Sequence, residues 1–307
     1  METRKVDIII PTYRPGQDFP ELLRRLSEQT VHPDRIRIVN TEESFWDHGW
    51  DGLVPRLEVR HIKREEFDHG GTRRQEAERS DADILVFMTQ DALPADRLLL
   101  QNLLSGFSEE EIGAVYARQL PGKNAGEIEK ITRGFNYPPF SCVKGEEDVL
   151  TYGIKTYFCS NVCAAYRADI YRQTGGFEKK AIFNEDMIYV GHMLQQGWKV
   201  AYTADAKVIH SHNYTAVQQF HRNFDLGVSQ AEHPEVFAAV PSEGEGMRLV
   251  KETAMRLVRK GRPLSVITLA WQSAAKYLGY SLGKHYRSLP GFLVKRCTTD
   301  PGYFGYR

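Results

Sequence analysis

Cysteine is scarce in this sequence: the 307 residues include only four, at positions 142, 159, 163 and 297. They are too few and too scattered for a disulfide framework, and no C-x-x-C pair exists because Cys159 and Cys163 stand four apart. We therefore expect Cys159 and Cys163 in the core. Internal repeats and low-complexity tracts are also missing, and 41% of the residues are hydrophobic. These features are typical of a folded protein in a reducing compartment.

Long apolar runs are missing as well. No stretch reaches the roughly 18 uncharged apolar residues that a membrane-spanning helix needs. The opening residues METRKVDIIIPTYRP have too short an apolar core for a signal peptide and lead directly into strand-like sequence. We therefore predict a cytoplasmic protein without a membrane-spanning helix.

Charge of either sign is not in excess, since 40 Lys and Arg balance 40 Asp and Glu. The balance is uneven along the chain, because residues 247–299 contain eleven basic residues and one acid, Glu252. Such a split predicts a surface partner for the basic segment. Nucleic acid is not expected, because no recognised binding motif is present.

Two interpretations of this basic segment stay open. It would form an amphipathic helix, with Leu249, Met255 and Val258 on its apolar side and Arg248, Lys251 and Arg259 on its polar side. That helix would either cap the main domain or bind an anionic membrane surface. The second interpretation predicts peripheral attachment at the inner face of the cell membrane.

Short apolar runs alternate with helical patterns over the first 120 residues. Strands are predicted over 5–13, 34–40, 56–62, 83–91 and 112–120, and helices over 18–29, 69–80 and 94–107. The alternation predicts an α/β fold with a mostly parallel sheet flanked by helices. In such sheets ligands bind beyond the carboxyl ends of the strands. Four polar stretches fall there: 11–13, 40–42, 68–73 and 89–91.

The pattern is less regular after residue 121. We predict a strand, a short helix and a glycine turn over 160–177, an amphipathic helix over 183–198, and two short strands over 199–215 that end in histidines. From residue 216 onward the sequence is helical. These patterns predict an α/β domain over 1–215 and a helical, basic C-terminal extension over 216–307.

Three groups of polar residues could carry chemistry. Glu185 and Asp186 begin a helix, where acids either cap the helix or, held at a loop junction, act as a general base. His210 and His212 lie on one face of an extended run and are either ordinary core or surface histidines or metal ligands together with Asp91.

The third group is FDHGGTRRQ, residues 67–75. Its glycines and Arg73 could form an anion site at a helix N-terminus, or the stretch is a glycine turn with a solvated arginine. It is neither G-x-G-x-x-G nor a P-loop. The motifs G-x-S-x-G and H-E-x-x-H are absent, so no hydrolase nucleophile or zincin site is indicated.

These pieces, in this order, resemble the inverting family-2 glycosyltransferases of GT-A fold over residues 5 to 215. VDIIIPTYRP is similar to their opening strand and nucleotide loop, and VNTEES stands at their base-contacting turn. HGGTRRQEAERSDADILVFMTQDALP is similar to the stretch from a nucleotide-contacting arginine to the D-x-D motif. GGFEKKAIFNEDMIYVGHMLQQGW is similar to the G-G-F…E-D region, and AKVIHSH to the late metal-ligand histidine.

The resemblance implies a Rossmann-like sheet, a nucleoside-diphosphate sugar donor and a divalent metal, Mn²⁺ or Mg²⁺. Asp186 would be the general base, with Glu185 orienting a loop or the acceptor. Metal binding is implied for Asp91 and His210, with His212 as the alternative ligand. Donor binding is implied for Pro11, Thr12, Tyr13, Arg14, Thr41, Glu42, Asp68, His69, Arg73, Thr89 and Gln90. Acceptor binding is implied for Asn161, Gly175, Gly176 and Phe177.

The sequence departs from the family pattern at two places. Thr89 stands where the first acid of D-x-D is expected, so Asp91 is the remaining carboxylate and metal affinity should be weaker. Asn40 and Thr41 stand where an acid often contacts the base, and an amide or a hydroxyl can still hydrogen-bond a pyrimidine imide.

Within the family, FDHGGTR and TQDA are similar to bacterial rhamnosyltransferases that use dTDP-L-rhamnose to build O-antigen or cell-wall polysaccharide. This likeness implies transfer with inversion to a glycan or a polyprenyl-pyrophosphate-linked acceptor. A UDP-sugar-dependent transferase of another sugar, and a non-catalytic sugar-nucleotide binder with a degenerate D-x-D, stay open. A nucleotidyltransferase is disfavoured, because PTYRPGQDF is a poor match to the Gly-rich basic loop it would need.

Overall fold

Nine strands form one sheet in the computed structural model, which describes residues 4–240 and 243–305. The strands are β1 Val6–Tyr13, β2 Arg35–Thr41, β3 Leu57–Ile62, β4 Ile84–Met88, β5 Leu93–Pro94, β6 Ile112–Leu120, β7 Cys142–Lys144, β8 Cys163–Arg167 and β9 Lys199–Ile209. The helices are α1 Phe19–Ser27, α2 His69–Glu78, α3 Leu99–Ser105, α4 Glu127–Asn136, α5 Val149–Tyr152, α6 Ala168–Gln173, α7 Glu185–Gln195, α8 Ala216–Glu232, α9 Pro234–Phe237, α10 Glu243–Arg259, α11 Leu264–Lys284 and α12 Gly291–Cys297.

The strand order across the sheet is β3-β2-β1-β4-β8-β6-β9-β5, with β7 paired to residues 200–202 of β9. Strands β1 to β4 are parallel to one another, as predicted. Strand β8 runs antiparallel to both β4 and β6, and β9 is parallel to β6. The predicted α/β fold is therefore confirmed, and its parallel strands lie in two groups separated by β8.

Both faces of the sheet are covered, because apolar residues alternate between two cores. In β1, Ile9 belongs to one core, while Ile8 and Ile10 belong to the other. Helix α1 covers the second core with Leu22, Leu23 and Leu26. The first core is rich in aromatic rings that pack edge to face, among them Phe87, Tyr166, Tyr171, Phe177 and Tyr189. Continuous apolar strands such as β4 are what a sheet buried on both faces requires.

Three local predictions were wrong. The helix expected over 94–107 is shorter, because Leu93 and Pro94 pair with the end of β9 as β5 before α3 begins. The two short strands expected over 199–215 are one strand, β9, whose pairing with β6 shifts register between Ala117 and Arg118. Residues 69–80 were expected to form a glycine turn that leads into a helix, but Gly70 and Gly71 are themselves helical, since α2 begins at His69.

The region after residue 216 is helical, and helices α8 and α11 approach each other very closely. Glycines allow this approach: a Cβ on Gly279 or Gly283 would overlap the carbonyl oxygen of Phe220 or Phe224 on α8. The segment after α12 is held in place by Thr298, whose hydroxyl donates to the buried Asp225 at 2.6 Å. The boundary at residue 215 stays a prediction. Among the described residues, no helix combines the length and apolar character needed to cross a bilayer.

Candidate active site

Polar residues from three strands meet at one edge of the sheet. Because β8 is antiparallel to its two neighbours, β6 and β9 run in the same direction as β4. Their carboxyl ends therefore lie at the same edge, which brings the turn after β4, the end of β6 and the segment after β9 together. This edge carries Thr89–Asp91, Gln119 and His210–His212.

The pairing of β5 with β9 fixes Asp91 next to the histidines. Leu93 lies opposite Ile209 in this antiparallel pair, so Asp91, two residues before Leu93, lies beside the segment that begins with His210. Asp91 Oδ1 is 3.5 Å from His210 Nε2, and Asp91 Oδ2 is 3.1 Å from His212 Nε2. Ligand atoms of the three side chains all lie within 4.8 Å of one another. Asp91 thus lies next to His210, its expected partner, and also next to His212, the alternative.

The donor set suits a divalent cation. His210 Nδ1 lies 2.9 Å from Gln119 Oε1, an acceptor only, so the proton sits on Nδ1 and the lone pair of Nε2 points at Asp91. Burial lowers the pKa of His210 despite the opposing effect of Asp91, so the imidazole is neutral, as a ligand must be. Burial opposes ionisation of Asp91, but the adjacent imidazoles, with His212 Nε2 3.1 Å from Oδ2, outweigh it and lower the pKa of this carboxyl. One carboxylate and two imidazoles can hold a divalent cation, with phosphate oxygens completing the shell.

Gln119 is a site residue that no sequence pattern indicated. Its Oε1 accepts from His210 and also from Arg133 of α4, and its Nε2 donates to Ser160 Oγ at 3.0 Å and to the Tyr137 hydroxyl. The amide is 2% exposed and every polar atom of it is engaged. Gln119 therefore holds the His210 ring in one orientation. A lone glutamine at the end of a strand has no local signal for this role.

Thr89 takes the place of the missing acid without replacing its chemistry. Its hydroxyl oxygen is buried and has no hydrogen-bond partner among the described residues. Its backbone N–H donates to Val162 O at 3.3 Å, which ties the turn after β4 to the loop before β8. An unpaired buried hydroxyl beside a carboxylate could bind a water or a sugar hydroxyl, and the proposed role of Thr89 in donor binding stays a prediction.

The two acids at the start of α7 are held by a single residue, Asn161. Its backbone N–H donates to Asp186 Oδ2 at 2.8 Å, and its side-chain amide donates to Glu185 Oε1 at 3.1 Å. The Tyr166 hydroxyl in turn donates to Asn161 Oδ1 at 2.8 Å. Asn161, predicted to bind acceptor, orients both acids in the structure.

The two acids differ in electrostatic environment. Burial raises the pKa of Asp186 to about 7, with a further contribution from the neighbouring Glu185, against the effect of two backbone N–H donors. Burial also opposes ionisation of Glu185, but Arg73, at 3.3 Å, and His69 lower its pKa. Two adjacent carboxyls whose environments push their pKa values apart are typical of an acid–base pair. Asp186 is half-buried and can exchange a proton near neutral pH, while Glu185 stays ionised.

The anion site predicted at residues 68–73 is not formed by its backbone amides. Asp68 caps α2 by accepting from the N–H groups of Gly70 and Gly71, and it also accepts from Ala181 N at 3.0 Å. The glycines are needed because a Cβ on either would overlap the carbonyl oxygens of residues 178 and 179. Arg73 is buried against Glu185 and His69 O, so it supports the acid pair. Donor contacts from Asp68, His69 and Arg73 remain untested predictions.

The predicted nucleotide loop forms a compact group around the end of β1. Gln90 accepts from Tyr13 N at 2.8 Å and donates to Tyr13 O at 3.1 Å, so it ties this loop to the turn that carries Asp91. The guanidinium of Arg14 lies 4.4 Å from the centre of the Phe45 ring, and the Tyr13 ring packs edge-on against the same ring. An exposed ring and a nearby guanidinium can stack on a base.

The neighbouring β2 end is held by side-chain hydrogen bonds. Thr12 donates to Asn40 Oδ1 at 3.1 Å, and Asn40 Nδ2 donates to Glu42 O at 3.0 Å. Glu42 has a φ of 63° and accepts from Arg64 N at 2.7 Å. Thr41 is buried with an unpaired hydroxyl oxygen. Pro11, Thr12, Thr41 and Glu42 thus stand at the predicted donor edge, and their contacts with a nucleotide stay a prediction.

One predicted acceptor residue is in the wrong place for that role. Phe177 is fully buried in the aromatic core, so its ring cannot touch an acceptor. Gly175 and Gly176 have φ values of 95° and 69°, which makes them the turn that leads from α6 into the segment carrying the acids. Their part in acceptor binding stays a prediction.

The loop 160–162 connects all of these groups. Ser160 contacts Gln119, Asn161 contacts both acids, and Val162 contacts the Thr89 backbone. The metal-ligand cluster and the acid pair are therefore positioned by one short segment. Such an arrangement can hold a phosphate-bound cation on one side and deprotonate a hydroxyl on the other.

The family model described as Glycosyl transferase family 2 matches residues 7–175, more than half of the chain. The chain belongs to glycosyl transferase family 2. The O-antigen chain rhamnosyltransferase RfbN of Salmonella typhimurium is 39% identical over 93% of this glycosyltransferase and 91% of its own length. The O-antigen chain rhamnosyltransferase WbaN of Salmonella anatum is 37% identical over 92% and 90%.

Solved structures confirm the GT-A-type fold of this glycosyltransferase. The mannosyltransferase PcManGT from Pyrobaculum calidifontis, in complex with GDP-Man and Mn²⁺, superposes with a TM-score of 0.56 over 98% of this chain and 84% of that one, at 17% identity. S. aureus TarS 1-349, in complex with UDP-GlcNAc, superposes with a TM-score of 0.52 over 92% and 91%, at 14% identity.

Proposed function

We propose that this glycosyltransferase moves a sugar, L-rhamnose, from dTDP-β-L-rhamnose to an acceptor hydroxyl with inversion, in the assembly of an O-antigen chain. The observation that carries the chemistry is the pair at the start of α7, where Glu185 is kept ionised and the pKa of Asp186 is raised. The choice of rhamnose and of the O-antigen rests on the names of the relatives from the two Salmonella strains. A UDP-sugar donor is the alternative.

The proposed reaction is a single displacement. Asp186 accepts the proton of the acceptor hydroxyl as its oxygen bonds to the anomeric carbon. The bond from that carbon to the phosphate oxygen breaks on the opposite face, and the nucleoside diphosphate leaves with the electron pair. A β-linked donor gives an α-L-rhamnoside. Glu185 and Asn161 keep the Asp186 carboxylate aimed, through the contacts described above.

Asp91 and His210 would hold the divalent cation, Mn²⁺ or Mg²⁺, with His212 as a further ligand. The cation supplies charge neutralisation for the leaving diphosphate. Gln119 keeps the lone pair of His210 Nε2 directed toward Asp91. Because Asp91 is a single carboxylate, we expect the cation to bind weakly without donor and more tightly with it.

The test of the catalytic assignment is Asp186→Asn. The amide cannot accept the proton, so transfer of rhamnose to acceptor should fall by about the 10²–10⁴-fold that a general base contributes, or more. Asp186→Asn should still bind dTDP with Mn²⁺, as followed by thermal shift. Asp205→Asn is the matched control, because the carboxylate of that residue on β9 is 80% exposed and lies 3.6 Å from Lys207. Transfer by Asp186→Asn at the rate of the unmodified enzyme would overturn the assignment.

The donor is tested separately by thermal shift with dTDP, UDP and GDP, each with and without Mn²⁺. We expect the largest shift with dTDP and a dependence on Mn²⁺ that Asp91→Ala removes. A larger shift with UDP would favour the alternative donor and leave the displacement chemistry intact. The acceptor we propose is a glycan, either free or linked to polyprenyl pyrophosphate, and the second form would bring the enzyme to the inner face of the membrane.

A further inference from the structure

Helix α11 carries an apolar stripe on its solvent side. Leu264, Ile267, Trp271 and Leu278 are 78%, 68%, 70% and 57% exposed. They are separated by three, four and seven residues, so they lie on one side of the helix, with Ala274 between them. A continuous exposed apolar strip of this kind marks an interaction site, whereas scattered apolar residues do not.

The opposite side of α11 is fixed, so the stripe cannot turn inward. Gly279 and Gly283 lie against the backbone of α8, and any side chain there would overlap it. Leu269 packs in a buried cluster with Leu257 of α10 and Ile131 of α4. The exposure of the stripe is therefore a property of the packed helix.

Basic residues border the beginning of the stripe. Four basic residues from the last turns of α10 to the start of α11 are exposed: Arg256, Arg259, Lys260 and Arg262. Met255 and Val258 of α10 are apolar and are 55% and 58% exposed. Arg259 and Arg262 make no ion pair with any described residue. The sequence from 253 to 299 has no acidic residue, and the acids that reach this surface, Glu127 and Glu252, already pair with Lys260 and Arg256.

We propose that α11 docks on an anionic membrane surface, with Leu264, Ile267 and Trp271 at the boundary between headgroups and acyl chains. Arg259 and Arg262 would contact the lipid phosphates. An interfacial helix needs this combination of an apolar side and flanking cations. A second copy of the chain is a poorer occupant, because the acids at this surface, Glu127 and Glu252, already pair with the chain's own cations. The membrane contact thereby moves from α10, where the sequence suggested it, mainly to α11.

The docked helix lies next to the metal-ligand segment. Gln272, beside Trp271, donates to Tyr214 O at 3.3 Å, and the Tyr214 ring stacks on His212 at 4.8 Å. Docking would therefore hold the site close to the membrane surface. That consequence rests on the proposed function, since it suits a lipid-linked acceptor, whereas the docking itself does not depend on it.

The test is flotation of the full chain with vesicles of phosphatidylglycerol and phosphatidylethanolamine, compared with neutral phosphatidylcholine vesicles. We expect binding to anionic vesicles and a drop of at least tenfold in the partition coefficient for the triple variant Leu264→Ser, Ile267→Ser, Trp271→Ser. Arg259→Glu with Arg262→Glu should lose the preference for anionic lipid. Leu150→Ser is the matched control, because Leu150 on α5 is 97% exposed and far along the chain from the stripe.

Trp271 gives a second readout that a purely structural role would not move. Its fluorescence should be quenched by brominated lipid, and the quenched component should be absent in Trp271→Phe, which retains binding. Equal flotation of the unmodified chain and the triple variant would overturn the proposal. So would a dimer in solution that the triple variant converts to a monomer without changing flotation. Flotation without sugar transfer to any acceptor would leave docking standing and refute the proposed function instead.

Discussion

The carboxyl of Asp186 should cost the folded protein stability at neutral and higher pH. Its pKa is raised from an ordinary 3.8 to about 7 by burial and by Glu185, so the folded state keeps the proton over a range in which the unfolded chain has lost it. Stability from this group is therefore greatest at low pH and is lost as the pH rises toward 7. Asp186→Asn mimics the protonated form and should remove that loss.

The size of the effect follows from the shift. One pKa unit corresponds to about 1.36 kcal/mol, so between pH 5 and pH 8 the full shift would cost the unmodified protein about 2.7 kcal/mol. Asp186 is only half-buried and shares its charge interaction with Glu185, which Arg73 and His69 partly neutralise. Solvent screening reduces the expected difference to about 1–1.5 kcal/mol.

The assay is urea unfolding of the unmodified protein and of Asp186→Asn at pH 5 and pH 8. The quantity of interest is the change with pH of the difference in unfolding free energy between the two proteins, because other titrating groups cancel in it. In Asp186→Asn the side-chain NH₂ group cannot accept a backbone hydrogen bond as the carboxylate oxygen does. This loss does not depend on pH, so it cancels too. A stability difference that is the same at both pH values would refute the assigned environment of Asp186.

Three further predictions concern other parts of the molecule. Gln119→Leu should weaken Mn²⁺ binding by about 10–100-fold in titration calorimetry, because His210 loses its orienting partner; unchanged affinity would contradict this role. Thr89→Asp should tighten Mn²⁺ binding and change the preference between dTDP- and UDP-sugars in a competition assay much less. A large change in that preference with little change in Mn²⁺ affinity would count against the site. Gly283→Ala should lower the unfolding free energy by about 1–3 kcal/mol through overlap with α8. Gly291→Ala, which meets nothing within 4 Å, is its control.

Much of the fold was predictable because its signals are local. β1, β2 and β3 begin and end within one residue of the predicted strands, and α1 lies inside the predicted helix. The errors arose where a partner distant in sequence decides the structure. Pro94, the first residue of the predicted helix, is in β5 instead because the end of β9 is available to pair with it. The sequence of β9 contains alternating small and polar residues, which do not by themselves indicate one continuous strand. The continuity of β9 therefore also depends on its pairing with β6.

The candidate site divides in the same way. Asp91, His210 and His212, and the pair Glu185–Asp186, were found because each carries a recognisable motif. Gln119 was missed because its role depends on the parallel pairing of β6 with β9, which no local pattern reveals. Phe177 was assigned wrongly because the local sequence does not show whether an aromatic residue after a glycine turn faces a ligand or the core.

The loop 160–162 gives metal binding and proton transfer a shared mechanical element. A cation that shifts His210 also shifts Gln119 and hence Ser160, two residues before Val162 and next to Asn161. The two events are then thermodynamically coupled, and the coupling must be equal in both directions. We predict that binding of Mn²⁺ with dTDP changes the proton affinity of Asp186 by a certain factor. Ionisation of Asp186 should change the affinity for Mn²⁺ by the same factor. Proton release measured during Mn²⁺ titration in the unmodified protein and in Asp186→Asn would reveal that factor, and identical release by both would rule the coupling out. An enzyme linked in this way would carry an active base mainly when its donor is bound.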